Sequence, residues 1–202
     1  QHSFIQMPEN DYVPRFEDPR VGYFVTQTTD MTSADDPTPY RDMIHRWNLE
    51  KKNPEQARSE VKEPITWWIE NTTPHEFRDA IKEGVLAWNK AFEKAGLINA
   101  VDVQVQPDDA DWDAGDIRYN VLRWTSSPNP PFGGYGPSFV NPRTGQILGA
   151  DIMLEFVYFT NRVKYEKIFD TFSAADNGSV SGHVCQAGEI TQRGNLFASM
   201  AA

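Results

Sequence analysis

Three aspartates at alternate positions are the clearest candidate metal ligands in the sequence. Asp109, Asp111 and Asp113 follow the pattern Asp-x-Asp-x-Asp, and carboxylate oxygens are the hard ligands that calcium prefers. Gly115 comes one position later than the glycine of a helix-loop-helix calcium loop, and no helix is predicted before this loop. The pattern therefore leaves two interpretations open, a calcium site and an acidic turn exposed to solvent.

Residue types that commonly perform catalysis are few, and their spacing matches no catalytic arrangement. His183 precedes the single cysteine, Cys185, by two positions, whereas catalytic Cys–His pairs are usually far apart in sequence. No two of the four histidines are four residues apart, and the pattern His-Glu-x-x-His does not occur. We therefore predict neither a nucleophilic dyad nor a complete zinc site in this sequence.

A segment rich in glycine and proline offers a different chemistry, the binding of a peptide backbone. Residues 133–155 contain two extended runs joined by Asn-Pro-Arg-Thr-Gly at residues 141–145, which predicts a β-hairpin. Glycine and proline disfavour a central position, so we predict that residues 135–140 lie at a sheet edge. An extended peptide can bond to the free backbone groups of an edge strand, although a plain edge hairpin without a ligand is the alternative. The candidate substrate-binding residues are Tyr135, Gly136, Pro137, Ser138 and Phe139.

A sheet and one long helix must position these candidate residues. Short β-branched and aromatic runs predict strands over residues 65–70, 101–106 and 117–125, in addition to the hairpin. Thr-Pro-His-Glu at residues 73–76 has the form of a capping box, and Gly96 is a typical left-handed C-terminal cap, so a helix is predicted over residues 74–95. An apolar stripe at helical spacing should cover the sheet, and it comprises Phe77, Ile81, Gly84, Trp88, Ala91 and Ala95.

The order of these elements predicts an α+β fold, with a mixed twisted sheet and one long backing helix. Residues 1–63 are expected to form an irregular N-terminal arm with one strand, over residues 21–29, and residues 64–202 the main domain. Residues 196–202 have the pattern of the first turns of a helix, so we expect the sequence to be a fragment of a longer protein.

Composition argues against two classes of partner. The 202 residues carry a formal net charge of −10, which would repel nucleic acids and anionic membrane surfaces. No apolar run approaches the roughly 20 residues that span a bilayer, so we predict no membrane span.

Several separated short sequences carry a resemblance to a known family. They are Asp-Pro-Arg-Val-Gly-Tyr-Phe at 18–24, Glu-Gly-Val-Leu-Ala-Trp-Asn-Lys-Ala-Phe at 83–92, Asp-Ile-Arg-Tyr at 116–119, Tyr-Gly-Pro-Ser at 135–138, Asn-Pro-Arg-Thr-Gly at 141–145 and Ala-Asp-Ile at 150–152. In this order, over residues 18–202, they resemble the large bacterial secreted zinc-dependent metalloproteases of the metzincin type.

The resemblance implies that this chain is the N-terminal part of a metzincin-like catalytic domain. In that family the strand resembling residues 135–140 forms the upper rim of the active-site cleft and binds substrate backbone antiparallel. The zinc ligands lie on a later helix with the pattern His-Glu-x-x-His-x-x-Gly-x-x-His, which this sequence lacks, so no catalytic or zinc-binding residue is assigned. The isolated chain is therefore expected to be inactive.

Further expectations about partners and location come from the same resemblance. The parent protein would be a secreted or periplasmic metalloendopeptidase that requires zinc. Its partners would be an extended peptide or protein substrate and the remainder of its own catalytic domain. The alternative is a non-catalytic module that binds a peptide or a neighbouring domain through the same edge strand.

Overall fold

The structure, a computed structural model, describes residues 2–32, 40–128, 130, 132–157, 160–161, 163 and 166–168. The chain divides into two units, residues 1–158 and 159–202, and all strands and helices named below lie in the first. The described residues of the second unit have helical backbone. His183, Cys185 and the helix predicted from residue 196 lie outside the described residues.

In the described part of the first unit, the four strands before residue 61 have two residues each, and every longer strand follows them. In chain order the elements are β1 (Val25–Thr26), β2 (Met43–Ile44), β3 (Arg46–Trp47), β4 (Ser59–Glu60), β5 (Ile65–Ile69), α1 (His75–Leu86), α2 (Asn89–Lys94), β6 (Leu97–Ile98), β7 (Val101–Val105), β8 (Asn120–Thr125), β9 (Gly134–Tyr135), β10 (Ser138–Val140) and β11 (Gln146–Glu155).

The main sheet is mixed, as predicted, and most of its pairs are parallel. Its strands follow the order β10–β11–β8–β5–β7, with parallel pairing from β11 through β7. β9 and β10 run antiparallel to β11, and β3 pairs with the other side of β11 in parallel. The protein is thus a mixed α/β structure in which helix α1 follows one parallel strand and precedes the next, an arrangement that parallel pairing requires.

The helical segment predicted over residues 74–95 is present as α1 and α2, with a turn at Ala87 and Trp88 between them. Both residues keep right-handed helical dihedral angles. However, Trp88 N donates to Val85 O, three residues earlier, which is the tighter hydrogen-bond pattern of a 3₁₀-helix. The predicted left-handed conformation of Gly96 is confirmed, with a φ of 86°. A Cβ there would lie 2.5 Å from Ala57 O, so glycine is required at this position.

The hydrophobic core lies between α1 and one face of the sheet. Ile69, Val103 and Leu122, from β5, β7 and β8, form its buried centre. Ile81 and Val85 of α1 pack against this centre. Burial of these side chains holds the helix on the sheet, since each fully buried aliphatic side chain contributes about 1.5–3 kcal/mol.

The prediction that Trp88 covers the sheet as part of the apolar stripe is wrong. Trp88 is 65% exposed, and Gly84, Ala91 and Ala95 of the predicted stripe are exposed too. The Asn89 side chain accepts from Val101 N at 2.9 Å and donates to Val101 O at 2.8 Å. These bonds turn Asn89 toward the sheet, and Trp88, about 100° around the helix from Asn89, lies on the exposed side.

The capping box predicted at the start of the helix is also absent. Thr73 N donates to Glu70 O in a turn, and helix α1 begins at His75 without a side-chain cap. The Thr73 hydroxyl is buried and has no hydrogen-bond partner among the described residues. Arg78 instead holds this turn, because its Nε donates to Thr73 O at 2.8 Å.

The N-terminal arm contains more paired strands than the single strand that was predicted. β1, which covers only two residues of the predicted strand at 21–29, pairs antiparallel with β2. β3 then joins the main sheet beside β11. The domain boundary after residue 63 stays a prediction. Among the described residues, no helix combines the length and apolar character needed to cross a membrane.

Candidate functional site

The segment predicted to bind peptide lies at the edge of the main sheet. Residues 134–140, called the edge segment below, pair antiparallel with β11. Tyr135 lies opposite Met153 and Ser138 opposite Ala150, which is one constant register. The register shifts between Phe139 and Val140. The regular part of the edge therefore ends at Phe139.

The predicted turn at residues 141–145 sets up this pairing. Asn141 N donates to Gln146 O at 2.8 Å, which closes the hairpin. Gly145 has a φ of 76°, and a Cβ there would lie 2.5 Å from Ile44 O. The turn therefore requires glycine at this position, and the hairpin prediction is confirmed.

The hydrogen bonds of β11 show which backbone groups of the edge segment face outward. Asp151 N donates to Pro137 O at 3.0 Å, so Pro137 faces β11. Ala150 N points to the other side of its strand and donates to Asn120 Oδ1 at 3.0 Å. Backbone groups alternate along a strand, so the N–H and C=O groups of Gly136 and Ser138 point away from β11. No described residue bonds to these outward groups.

Pro137 therefore does not interrupt the free edge. A proline lacks an N–H group, and here the missing group would have pointed inward, toward β11. The outward donors on either side of it, at Gly136 and Ser138, are both present. A Cβ at Gly136 would meet only Ile152 Cγ1 at 3.6 Å and Asp151 O at 3.7 Å. The outer edge of the sheet thus offers uninterrupted donors and acceptors to an added strand.

The side chains of Tyr135, Pro137 and Phe139 share one side of the edge segment, because side chains alternate along a strand. Tyr135 is 54% exposed, and its ring centroid lies 5.8 Å from that of Phe132, which is 45% exposed. Pro137 and Phe139 are half-buried. The apolar strip, as these three strand residues are called below, therefore adjoins the free backbone groups.

A buried carboxyl group, that of Asp151 on the neighbouring strand β11, lies opposite Pro137. Asp151 is 8% exposed, and its Oδ1 accepts from Val121 N at 3.2 Å. Burial raises the pKa of the Asp151 carboxyl, and the Val121 N–H group and the positive charge of Arg123 only partly offset this effect. The neutral form is consequently favoured in the fold more than it is in water.

A second carboxylate, that of Glu155, holds the end of β8 and the residue that follows it shortly after. Glu155, at the end of β11, accepts from Ser127 N at 2.8 Å and from the hydroxyl groups of Ser127 and Thr125 at 3.0 Å. The bond from Ser127 N is the main reason that the pKa of Glu155 is lowered. The ionised carboxylate therefore anchors Ser127, just after β8.

Asn120, Asp151 and Glu155 were missed by reasoning from the sequence. Each supports the edge segment or the strand next to it through hydrogen bonds. The signal that could have identified them is a polar residue inside an otherwise apolar strand pattern. Such residues must find hydrogen-bond partners when they are buried.

The structure does not bring the three candidate calcium ligands together. The described residues contain no group of three or more His, Cys, Asp or Glu side chains that could hold a metal ion. Asp113 Oδ1 accepts from Gly115 N at 2.7 Å, a contact within the loop. Calcium binding at Asp109, Asp111 and Asp113 stays a prediction. A rise in Tm with added calcium that disappears in Asp111→Asn would support it.

Comparison with known proteins identifies a family that matches the N-terminal residues. Residues 1–52 match a protein family described as a domain of unknown function, DUF5117. This match lies within the N-terminal arm and does not reach the edge segment. The chain has no match among the curated proteins and none among the solved structures.

Proposed function

We propose that this chain is the N-terminal part of a secreted or periplasmic zinc-dependent metallopeptidase of the metzincin type. In this proposal the edge segment binds an extended peptide substrate antiparallel. The outward N–H and C=O groups of Gly136 and Ser138, without a partner among the described residues, are the observation that carries it. The edge position is also what the resemblance at residues 135–138 and 141–145 implies for a substrate-binding strand.

The described residues orient substrate in this proposal and perform no bond-breaking step. They contain no group of ligands that fits a zinc ion. Zinc in such enzymes lowers the pKa of its bound water and polarises the scissile carbonyl. Residues outside this sequence would have to supply its ligands. The edge segment would hold the peptide extended and in one register, so that the scissile bond of each bound substrate lies at the same position relative to the protein.

The energy available from the edge backbone is modest. Pairing with Gly136 and Ser138 uses two N–H and two C=O groups, and each net hydrogen bond contributes about 0.5–1.5 kcal/mol. The sum of about 2–6 kcal/mol competes with an association cost of about 4–15 kcal/mol. Backbone pairing alone therefore gives weak binding, which must be measured with a method that detects millimolar affinities, such as NMR titration.

Ser138→Pro tests the role of the outer edge. The proline removes an outward N–H group and places its ring on the edge, while every hydrogen bond to β11 remains possible. We expect peptide binding to be lost and the free energy of unfolding to change little. Ser138→Ala is the matched control, because it keeps the backbone N–H and should bind peptide normally. Equal binding by all three proteins would show that the edge does not bind peptide.

A longer chain that continues past residue 202 tests the enzymatic part of the proposal. We expect it to bind zinc and to cleave an unfolded protein, and Ser138→Pro should lower its kcat/KM. A longer chain that binds no zinc and cleaves nothing would refute the protease proposal. Peptide binding by residues 1–202 that Ser138→Pro abolishes would then favour a non-catalytic binding module.

A further inference from the structure

The register of the edge segment also determines which side chains of a bound peptide would approach it most closely. The backbone groups of Tyr135, Pro137 and Phe139 face β11. A peptide residue opposite any of them would therefore belong to a non-hydrogen-bonded pair. In such pairs the Cα atoms are about 4.5 Å apart, against about 5.5 Å in hydrogen-bonded pairs, and the side chains lie closer together.

These three positions are the ones that carry the apolar strip. Tyr135 contributes a half-exposed ring that is extended by the ring of Phe132, and Pro137 and Phe139 continue the apolar surface along the strand. Peptide side chains opposite the strip would project to the same side of the sheet. Cross-strand pairs of aromatic with aromatic or aliphatic side chains are favourable, and a polar side chain there would lose contact with water without gaining a bond.

The two intervening positions, Gly136 and Ser138, hardly restrict which peptide side chain can lie opposite them. Gly136 has no side chain and Ser138 has a small, exposed one. Peptide residues opposite them would form the hydrogen-bonded pairs, in which side chains are further apart, and would project to the other side of the sheet. Polar residues are therefore accepted at these two positions. Beyond Phe139 the shift in register ends the regular pattern.

We propose, on the premise that the edge binds peptide as described above, that it selects extended segments with apolar side chains at every second residue. In the antiparallel direction, the first apolar residue lies opposite Phe139, the second opposite Pro137 and the third opposite Tyr135. The third position is the most selective, because Tyr135 and Phe132 offer the largest exposed aromatic surface along the edge segment. Such alternation is typical of β-strand segments, which are accessible when a substrate protein is unfolded.

Two peptides of identical composition test this selectivity. Both are capped at their ends, are uncharged and contain three leucines among serines and threonines. In the alternating peptide the leucines occupy every second position, and in the block peptide they are contiguous. The block peptide cannot place all three leucines on one side of an extended strand. We expect it to bind about three- to tenfold more weakly than the alternating peptide.

Variants of the protein assign the preference to the apolar strip. Tyr135→Ser should remove most of the difference between the two peptides, and Phe132→Ser should reduce it. Tyr23→Ser is the matched control, since Tyr23 is an exposed tyrosine of the N-terminal arm, and it should keep the full preference. Circular dichroism and unfolding curves show whether each variant is folded.

The outcomes separate this inference from the proposed function. Measurable and equal binding of both peptides by the wild-type protein would overturn the selectivity and leave peptide binding intact. A preference that survives Tyr135→Ser and Phe132→Ser would also overturn it. Failure of both peptides to bind would refute the proposed function itself. Pairing of two copies of this chain through their edges, seen as a dimer by sedimentation, would refute both if it excluded the peptides.

Discussion

Replacement of Asn120 by alanine should destabilise the protein by about 1.5–4.5 kcal/mol, although the side chain is only half-buried. Asn120 Nδ2 donates to Thr66 O at 2.9 Å and its Oδ1 accepts from Ala150 N at 3.0 Å. The amide of Asn120 in β8 therefore connects β5 with β11. In the alanine variant both bonds are lost.

The expected magnitude follows from the burial of the two partners. Ala150 is 8% exposed, so its N–H group would remain without water, at a cost of about 1–3 kcal/mol. Thr66 is half-buried, and water can replace part of its lost bond, so this loss should be nearer the ordinary net value of about 0.5–1.5 kcal/mol. Together these contributions give the stated range.

Urea unfolding measures the change, and the m-value should stay constant if the variant retains the native fold. Asn53→Ala is the matched control, because Asn53 is exposed and its side chain bonds to no described residue. Its effect should be within about 0.5 kcal/mol. Amide hydrogen exchange should accelerate at Ala150 but not at Asp151, whose N–H group is bonded to Pro137 O. A loss below about 1 kcal/mol for Asn120→Ala, or unchanged exchange at Ala150, would contradict the assigned register.

Three further predictions concern packing and pH. Trp88→Ala should cost less than about 1 kcal/mol in urea unfolding because Trp88 is 65% exposed, whereas Leu122→Ala should cost about 2–5 kcal/mol; equal losses would contradict this arrangement. Burial lowers the pKa of His45, so the unfolded chain binds more protons than the folded protein does, and the stability of the protein should fall as pH decreases below about 6.5. His45→Gln should weaken this pH dependence, which unfolding curves at pH 7 and pH 5 measure. Burial raises the pKa of Asp151, so the stability of the protein should fall as pH rises above about 4 and this group ionises. The amide oxygen of Asp151→Asn can still accept from Val121 N, so this variant should be more stable relative to wild type at pH 7 than it is at pH 4. The opposite trend would disprove the assignment.

The sequence was sufficient to predict the features that depend on local chemistry. The hairpin turn could be predicted because Gly145 must adopt a positive φ, and the edge position of residues 135–140 because glycine and proline are unsuited to a central strand. The side of the helix that faces the sheet was predicted correctly at Ile81, but it could not be predicted from Gly84 onward. Apolar residues occur around much of its surface, and the contact of Asn89 with Val101 decides which of them face the sheet. That contact joins an amide side chain to a strand that follows the helix, and no local pattern indicates it.

The candidate site depends on non-local pairing in the same way. The sequence shows that Pro137 lacks an N–H group. Whether the outer edge loses a hydrogen-bond donor as a result depends on which side of the strand that group would have occupied. Asp151 and Asn120 decide this, because the first bonds to Pro137 O and the second binds the N–H group of Ala150 on the opposite side. A shift of one residue in this register would turn Pro137 outward and Gly136 and Ser138 inward. The outer edge would then lack a donor at its centre, and an added strand would lose one of its backbone bonds there. The capacity to bind peptide is therefore a property of the register between the edge segment and β11, and composition alone does not determine it.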